Sequence, residues 1–573
     1  MSTPWVRRKR ERALADGWCT RCCCRRPAPG KRSCEPCNDG AKRRVSQSRA
    51  LARARRDAES ARKRLESAGD AALTRFAYAD AVACYQDALS HELPLDDDDR
   101  ISEKLIRGIF CTSRPETARA WIERAIARHE SAGSGDNPQL AIRLALPRQY
   151  WLEGNTPQSL ACVERARHVL GDRHESRSHI DALTTNYLTL MGRYAEAAPY
   201  AARAETSELN AHARGILMNQ RAMLAAASGD AAQAFERFDA ATLVATDVED
   251  GYLLTIVWDD YANWATTLGR LDIARMCRER ALFVAREQRI AWRVPYLSLR
   301  YAGLLVLAGE NALARDLLAE TALHDLQTPI LRLLAATIGA QLADATGDEN
   351  LLGREPDAVA LESAFRSREP GWIGPLAAAY ARVLVRRGER EAAAALVARA
   401  LPFIHTAEHS GDVLALAARF GTAADAAHAR GVLQRRMRLP NAKVATAFAH
   451  LWETYDAVRR RQTGAAKEKA RKTARLFAAI GWQRYERIAL GIADPAGGVQ
   501  SKPARRAPAA LGELRPALSA RELQVAELVL RGQTNRAIAD ALAISEHTVE
   551  SHMTSIFNRL GLRSRWQLLD LVK

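Results

Sequence analysis

A glycine recurs at a nearly constant interval through the middle of the chain, each time in a similar local context. The successive intervals are 38, 37, 40, 40, 38 and 41 residues. Intervals in this range are typical of an α-solenoid, in which helical hairpins stack side by side. Glycine permits the tight turn between the two helices of each hairpin. The seven glycines are Gly154, Gly192, Gly229, Gly269, Gly309, Gly347 and Gly388.

A small residue follows six of these glycines at a distance of five residues. It falls on the second helix of each predicted hairpin, where a small side chain lets that helix approach its neighbour closely. These residues are Ser159, Ala197, Ala234, Ala274, Ala314 and Ala393. The units resemble tetratricopeptide repeats lengthened beyond the usual 34 residues. The resemblance covers roughly residues 73–490.

The concave face of such an array is its usual binding surface, so we expect it to bind an effector peptide, a partner protein or a small molecule. The alternative is that the array serves only as a spacer. We interpret the acidic run Asp96–Asp99 as a solvated loop between helices rather than a metal site. Six tryptophans are expected to lie mostly in the core: Trp121, Trp151, Trp258, Trp264, Trp292 and Trp372.

The net charge of +17 on this 573-residue chain is unevenly distributed. Residues 1–65 contain 20 Lys and Arg against 6 Asp and Glu, whereas residues 511–573 contain 8 against 7. A local basic patch indicates a polyanionic partner better than a high overall isoelectric point does. The alternative is a solvated basic tail.

Several classes of protein are disfavoured by what the sequence lacks. No apolar run approaches 18 residues, so we expect no transmembrane helix and no membrane partner. The basic N-terminus lacks the apolar core of a signal peptide, which predicts a cytoplasmic protein. There is no G-x-x-x-x-G-K-[ST], G-x-S-x-G or H-E-x-x-H motif. We therefore expect neither a nucleotide cofactor nor enzymatic activity.

A Pro- and Ala-rich linker, Pro495–Ala510, separates the array from a small C-terminal domain of four predicted helices. A capping box of Ser519 and Glu522 predicts a first helix to about Leu530. Thr534 caps a second helix, which we place at Asn535–Leu542. Ser545 caps a third, which we expect to end near Leu560, and the fourth starts at Ser564.

The third of these helices has two contrasting faces. Val549, Met553, Ile556 and Leu560 recur at helical spacing and form one apolar stripe. The opposite side carries short polar residues, with Ser551 among them. A short helix, a tight turn and a second helix with a polar outer face predict a helix-turn-helix whose second helix enters the major groove of DNA.

A series of motifs runs through the same segment. It comprises LSARE at Leu518–Glu522, G-x-x-N-x-x-I-A from Gly532 to Ala539, L-x-I-S from Leu542 to Ser545, TV-x-x-H from Thr548 to His552, IFNRLG at Ile556–Gly561 and RSR at Arg563–Arg565. With these motifs, residues 516–572 resemble the LuxR-type, also called GerE-type, DNA-binding domain of bacterial transcription regulators.

The resemblance implies roles for residues of the second and third helices. Positions that match the base-reading sites are Glu550, Ser551 and Thr554, with Val549 at the edge. The last helix, Ser564–Val572, would pair two copies as a homodimer on DNA. Residues that would hold phosphates or brace the helix are Asn535, Ser545, Thr548 and His552.

One departure from the family pattern concerns charge. Relatives often place Lys or Arg on the reading face, whereas this chain has Glu550, which accepts from a cytosine amino group but repels phosphate. We therefore expect low affinity from the isolated domain. Our hypothesis is that the basic N-terminal arm supplies the missing non-specific electrostatic attraction.

Six of the ten cysteines fall within residues 19–37. Cys19 with Cys22, and Cys34 with Cys37, form two C-x-x-C pairs. Four thiolates on two short turns suit a tetrahedral structural Zn²⁺ ion, which a segment this small needs in order to fold. A disulfide cluster and a redox-sensing thiol site are the alternatives. The neighbouring Cys23 and Cys24 could replace Cys22 or act as reactive thiols.

The sequence thus predicts an all-α chain: an α-solenoid of helical hairpins, a four-helix C-terminal helix-turn-helix domain and a small N-terminal zinc knuckle. The leading hypothesis is a transcription regulator that binds specific double-stranded DNA and whose array senses an effector. The alternative is a helical-repeat scaffold or adaptor tethered to DNA non-specifically. The predicted domains are 1–40 (zinc knuckle), 41–70 (basic arm), 71–493 (array), 494–511 (linker) and 512–573 (DNA-binding domain).

We expect the purified protein to contain about one zinc ion per chain, because the four thiolates form one closed tetrahedral site. Elemental analysis by mass spectrometry measures this content. Cys22→Ser together with Cys37→Ser should remove the metal, whereas Cys84→Ser, outside the cluster, should not. A full zinc content in the double variant would exclude this ligand set.

Overall fold

The computed structural model describes residues 59–91, 93–132, 140–170, 174–205, 209, 211–321, 328–352, 358–494, 518–530 and 535–560. The predicted zinc ligands Cys19, Cys22, Cys34 and Cys37 lie outside these residues, as does the predicted last helix from Ser564.

Every regular element within these ranges is a helix, in agreement with the predicted all-α class. Short 3₁₀ helices occupy Pro115–Thr117, Glu349–Leu351 and Leu401–Phe403. The α-helices of the first half of the array are α1 (residues 59–73), α2 (Tyr78–Leu89), α3 (Leu95–Ile109), α4 (Ala118–Ala132), α5 (Leu140–Leu152), α6 (Thr156–Leu170), α7 (His174–Leu190), α8 (Tyr194–Glu205), α9 (Ala211–Ala227), α10 (Ala231–Asp247), α11 (Gly251–Thr267) and α12 (Leu271–Glu287).

The second half of the array continues with helices of similar length, and three further helices form the C-terminal domain. They are α13 (Arg293–Leu307), α14 (Asn311–Glu320), α15 (Pro329–Thr346), α16 (Ala358–Ser367), α17 (Pro370–Arg386), α18 (Arg390–Ala400), α19 (Gly411–Phe420), α20 (Ala423–Met437), α21 (Lys443–Arg459), α22 (Thr463–Ala479), α23 (Gln483–Ala493), α24 (Ala520–Leu530), α25 (Asn535–Leu542) and α26 (Glu546–Leu560).

The seven recurring glycines each lie within two residues of the C-terminal end of a helix, as the sequence predicts. Their backbones are all left-handed, with φ from +68° at Gly154 to +87° at Gly388. The small residue five positions later is 0% exposed in all six cases. The expectation that it permits close packing of the second helix is therefore confirmed.

The hairpin formed by α21 and α22 does not follow the glycine pattern. Between α21 and α22 the left-handed position belongs to Arg461, with φ +58°. Ala466 follows five residues later and is 4% exposed, so the same packing holds without the glycine. The glycine period does not reveal this unit because a non-glycine residue occupies the turn despite its strain.

The hairpin turns contact a second superhelical turn of the same array. Arg366 Nη2 donates to the Glu153 carbonyl oxygen at 2.7 Å, and Asn441 Nδ2 donates to the Gly229 carbonyl oxygen at 2.8 Å. These partners lie 213 and 212 residues apart in the chain. Arg487 binds the Gly309 carbonyl oxygen 178 residues away in the same manner. The array therefore winds so tightly that one superhelical turn contacts the next.

The acidic run Asp96–Asp99 is not a solvated loop, and that prediction is wrong. The four residues form the first turn of α3, where the helix dipole favours carboxylates. Asp98 is 1% exposed, and its carboxylate pairs with Arg124 at 3.1 Å and Arg128 at 2.6 Å. Arginines from the following helix thus compensate the buried charge.

The described part of the predicted basic arm packs against the array. Within α1, Arg62 pairs with Asp97 at 2.6 Å, and Glu66 and Asp70 each accept from Lys104 at 2.8 Å. Residues from 59 onward are therefore held by α3. Any deletion that tests the arm should end at residue 58.

Among the described helices, none is both long and apolar enough to cross a membrane.

Two glycines with the same backbone conformation should differ in their tolerance of alanine. A Cβ added at Gly229 would lie 2.5 Å from the Pro440 carbonyl oxygen, whereas a Cβ at Gly388 would meet nothing within 4 Å. Gly388→Ala should lower the free energy of unfolding by about 1 kcal/mol through left-handed strain alone. Gly229→Ala should lower it by about 3 kcal/mol, because the clash between superhelical turns adds to the strain.

Urea unfolding followed by circular dichroism compares the two variants. Equal losses of stability would show that the turn-to-turn contact at Gly229 contributes nothing to the free energy of unfolding.

Candidate functional site

The C-terminal domain begins with the predicted capping box. The Ser519 backbone nitrogen donates to Glu522 Oε2 at 2.7 Å, and the Glu522 backbone nitrogen donates to Ser519 Oγ at 3.3 Å. These two bonds fix the start of α24, so both the box and the bounds of this helix agree with the sequence.

The turn between α25 and α26 is formed by a left-handed residue, a backbone hydrogen bond and a helix cap. Ala543 is left-handed, with φ +52°, and the Ile544 nitrogen donates to the Ala539 carbonyl oxygen at 2.9 Å. Ser545 Oγ then accepts from the Thr548 nitrogen at 3.1 Å, which caps α26 as predicted. This arrangement is the tight turn of a helix-turn-helix.

The apolar stripe of α26 faces the core of the domain. Val549 and Ile556 are 0% exposed and Met553 is 5% exposed, whereas Leu560 is half-buried. They pack with residues of α24 and α25, for example Val525. Because Val549 is fully buried, we leave its side chain out of the candidate reading face.

The other candidate DNA-contacting residues lie on α25, on α26 or at the turn between these two helices. Ser545 and Ser551 are exposed, and Thr548 and His552 are half-buried. Asn535 opens α25, and Glu550 and Thr554 are positions of α26, but their side chains lie outside the described part of the structure.

Glu522 ties α26 to α24. It is 3% exposed and accepts from Ser555 Oγ of α26 at 2.5 Å, while Arg559 Nε lies 3.3 Å away. Burial alone would raise the pKa of this carboxyl, but hydrogen bonds from Ser555 and Ser519, with Arg559 nearby, lower its pKa to about 2. The ionised carboxylate therefore fixes the orientation of α26.

A second candidate site is a cavity of about 270 Å³ inside the array. Asp260, Asn263, Trp264 and Thr267 line it from one face of α11, and Arg300 lines it from α13. Tryptophans predicted to be core, including Trp151, Trp264 and Trp372, are buried or half-buried as expected, but they also form its wall. Other lining residues come from α15, α17 and the segment before α19, so both superhelical turns contribute.

The polar centre of the cavity is a cluster around one buried carboxylate. Asp259 is 4% exposed, forms an ion pair with Arg278 and lies 3.4 Å from Arg300 Nε. Arg278 Nη2 also donates to Asn263 Oδ1 at 2.5 Å. Tyr296 completes the cluster by donating to Asp259 Oδ2 at 3.1 Å.

Three titratable groups of the cavity wall have shifted pKa values. Burial raises the pKa of Glu369 to about 8, and its carboxyl accepts from the hydroxyl of Thr156. Burial also raises the pKa of Asp260. Burial, with Arg300 and Arg278 nearby, lowers the pKa of His409 to about 3, so its ring is neutral at pH 7.

The sequence contains one signal for this cavity that the repeat pattern does not include. Asp259 and Asp260 interrupt an otherwise apolar helix, and two adjacent acids on a buried helix require partners from elsewhere. The partners of Asp259 come from α12 and α13, and the partner of Asp260, Asn219, comes from α9, so the repeat pattern alone does not reveal the cluster.

A basic ridge near the end of the array was also not identified in the sequence analysis. Residues 459–475 contain 8 Lys and Arg against 1 Glu. Lys467, Arg471 and Arg475 are exposed and recur at intervals of four along α22, so they share one face. The near-neutral total charge of the array concealed this local excess.

Replacing Glu522 with Gln should destabilise the C-terminal domain by about 2 kcal/mol at pH 7, because hydrogen bonds to a charged acceptor are lost. The folded-state pKa lies below the usual value of 4.5, so this stabilisation is present above about pH 4.5 and disappears as the pH falls toward 2. Hydrogen exchange of α24 and α26 in the intact protein, corrected for intrinsic rates, measures both effects.

Glu527→Gln, in the same helix, is the matched control. A difference between E522Q and wild type that does not shrink between pH 5 and pH 2.5 would contradict the role of the ionised carboxylate.

Comparisons with known proteins agree with this geometry. The family model described as "Bacterial regulatory proteins, luxR family" matches residues 516–572. The oxygen regulatory protein NreC of Staphylococcus aureus (strain JH9) is 43% identical over 53 residues, which are 9% of this chain and 24% of NreC. This chain therefore spans about a quarter of the length of the curated relatives that it matches.

Two solved helical structures align with a larger part of the chain. The Rap protein complexed with competence and sporulation factor aligns with a TM-score of 0.39 and 12% identity, over 66% of this chain and 98% of that one. Yeast Tom70 aligns with a TM-score of 0.27 and 11% identity, over 76% of this chain and 96% of that one. On the family match and the helix geometry, the C-terminal segment, residues 516–572, is a helix-turn-helix domain of the luxR family of bacterial regulatory proteins.

Proposed function

We propose that this protein regulates transcription by binding double-stranded DNA at specific sequences through residues 516–572. The observation that carries the proposal is α26, which buries an apolar stripe and exposes short polar residues directly after a left-handed turn. The N-terminal part of such a helix contacts base edges in the major groove. The family match supports the same activity.

Base readout is assigned to Glu550, Ser551 and Thr554, which are the fifth, sixth and ninth of the 15 residues of α26. Short side chains with hydroxyl or carboxylate groups suit hydrogen bonding to base edges. Four residues are assigned to phosphate contact or to bracing of the helix: Asn535, Ser545, Thr548 and His552. Residues 564–572 pair two copies, so the protein binds DNA as a homodimer on a two-fold site.

Non-specific attraction comes from outside this domain. Residues 511–573 carry 8 basic and 7 acidic side chains, too little excess charge for strong attraction to phosphates. The basic ridge of α22 and the arm before residue 59 supply it. The exposure of Lys467, Arg471 and Arg475 supports the ridge as a phosphate-contacting surface.

The array serves as the sensory part of the protein. Its cavity, with charged groups and an aromatic wall, supports binding of an effector there. Because both superhelical turns line the cavity, an occupant stabilises the contact between them. That change biases how two copies pair on DNA.

The full-length protein should bind its own upstream DNA about a thousandfold more tightly than a scrambled duplex of equal length. Titrations at several salt concentrations with both duplexes measure this ratio. Equal and steeply salt-dependent binding to both, with or without a ligand of the cavity, would falsify sequence-specific regulation and support a scaffold tethered to DNA.

Variants of two exposed residues on α26 sharpen this test. Ser551→Trp should abolish the preference for the specific duplex, because the larger side chain blocks entry into the groove. Asn558→Trp, two helical turns further on, should change the ratio only a few-fold.

Two further variants test which segments supply the non-specific attraction to DNA. The ridge variant Lys467→Gln/Arg471→Gln/Arg475→Gln and the deletion of residues 1–58 should each reduce the slope of log affinity against log salt. The expected reduction is about 0.9 for each phosphate that the variant no longer neutralises. An unchanged slope in either variant would exclude that segment as a source of the attraction.

A further inference from the structure

We propose that the central cavity binds a small zwitterion, an α-amino acid with a large apolar side chain, whose ammonium group pairs with Asp260 and whose carboxylate pairs with Arg300. The proposal rests on the sensory role of the array given above, since it names the class of ligand. It follows from which charges of the cavity wall the protein itself compensates.

Most charged residues of the cavity wall already have a partner of opposite charge. Glu408 accepts from Arg436 at 2.8 Å, and Arg484 donates to Asp344 at 2.8 Å. Asp412 is paired with Arg382 in the same way. These groups form structural ion pairs, so they do not need a charged group of a ligand to compensate them.

Asp260 lacks such a partner among the described residues. Its carboxylate accepts from the neutral amide of Asn219 at 2.7 Å. The residue is half-buried only because it faces the cavity. Burial of a carboxylate without a salt bridge is costly, and burial raises the pKa of this group although Asn219, Arg300 and Arg293 act to lower it. A ligand cation in the cavity would offset it.

The positive charge of Arg300 is also only partly compensated by the protein. It donates to the neutral Asn263 oxygen, and its nearest carboxylate, Asp259, lies 3.4 Å from Nε and is shared with Arg278. Arg278 and Arg300 therefore share one salt-bridged carboxylate, and Arg300 acts on Asp260 only at longer range, where it lowers the pKa of that carboxyl. A ligand carboxylate can accept from the guanidinium, which makes strong bidentate bonds.

The two charges are placed for one small molecule. Asp260 lies nine residues before Gly269, and Arg300 lies nine residues before Gly309. They thus occupy equivalent positions on the first helices of adjacent repeats, where packed helix axes are about 8–10 Å apart. No salt bridge joins the two within the described chain. A molecule that carries both charges on one carbon fits between them.

The surroundings favour an apolar side chain on that molecule. The Arg300 guanidinium carbon lies 5.3 Å from the ring centroid of Trp372, and the rings of Tyr194 and Trp264 are 5.9 Å apart on the same wall. Aromatic walls with a few placed polar groups are typical of ligand sites. The volume of about 270 Å³ is below the usual range for drug-sized ligands, so the ligand is small.

Isothermal titration of the full-length protein with the twenty common L-amino acids, one at a time, tests the proposal without DNA. At least one apolar amino acid should bind. The corresponding amine without the carboxylate, and the corresponding acid without the ammonium group, should each bind at least tenfold more weakly. Binding by none of the twenty overturns the proposal, and so does equal binding of the amine or the acid.

Variants distinguish a loss of ligand binding from a loss of folding. Asp260→Asn and Arg300→Gln should each weaken binding at least tenfold. Asp260→Asn should also raise the thermal midpoint of the ligand-free protein, because it removes a buried charge that lacks a partner. Loss of binding with a higher midpoint excludes misfolding as the cause. Asp272→Asn, whose side chain is 65% exposed on α12, is the control and should bind as wild type does.

Unchanged binding in the Asp260→Asn variant overturns the assignment of the ammonium group. DNA specificity is measured in the separate titration above. If that titration shows no DNA specificity, the proposed regulatory function is rejected but the proposed class of ligand is not. If no amino acid binds, only the proposed class of ligand is rejected.

Discussion

Close approach of backbone between successive superhelical turns is the constraint on which the array depends. At Gly229 the carbonyl oxygen accepts from Asn441, and the space around the α-carbon is occupied by Pro440. The turn glycine therefore has two functions. It adopts the left-handed conformation that reverses the chain, and it presents bare backbone to a segment about two hundred residues away. The cavity depends on this contact because residues of both turns line it.

Local features of the fold were predictable because they depend on residues close in sequence. The glycine period, the buried small residue five positions later and the capping box of Ser519 and Glu522 are of this kind. The turn at Arg461 was not, since nothing local distinguishes a strained arginine from an ordinary helical one. The burial of Asp98 depends on Arg124 and Arg128, which belong to the next helix.

The two candidate sites differed in predictability for the same reason. The helix-turn-helix is built from about forty consecutive residues, so its bounds and its buried stripe follow from capping and periodicity. The cavity combines α11, α13 and residues of the second superhelical turn such as Glu369. Its position depends on the pitch of the superhelix, and a repeat interval near 39 residues does not specify that pitch.

Tight winding also restricts how such a protein can change in length. In an open solenoid each repeat contacts only its neighbours, so repeats can be added or removed singly with little effect elsewhere. Here hairpin tips contact segments that lie 178 to 213 residues ahead in the chain. Inserting or removing one unit between Gly229 and Asn441 would pair that tip with the wrong segment. Insertion or loss of a single repeat would therefore disrupt contacts between superhelical turns far from the site of the change, unlike in an open solenoid.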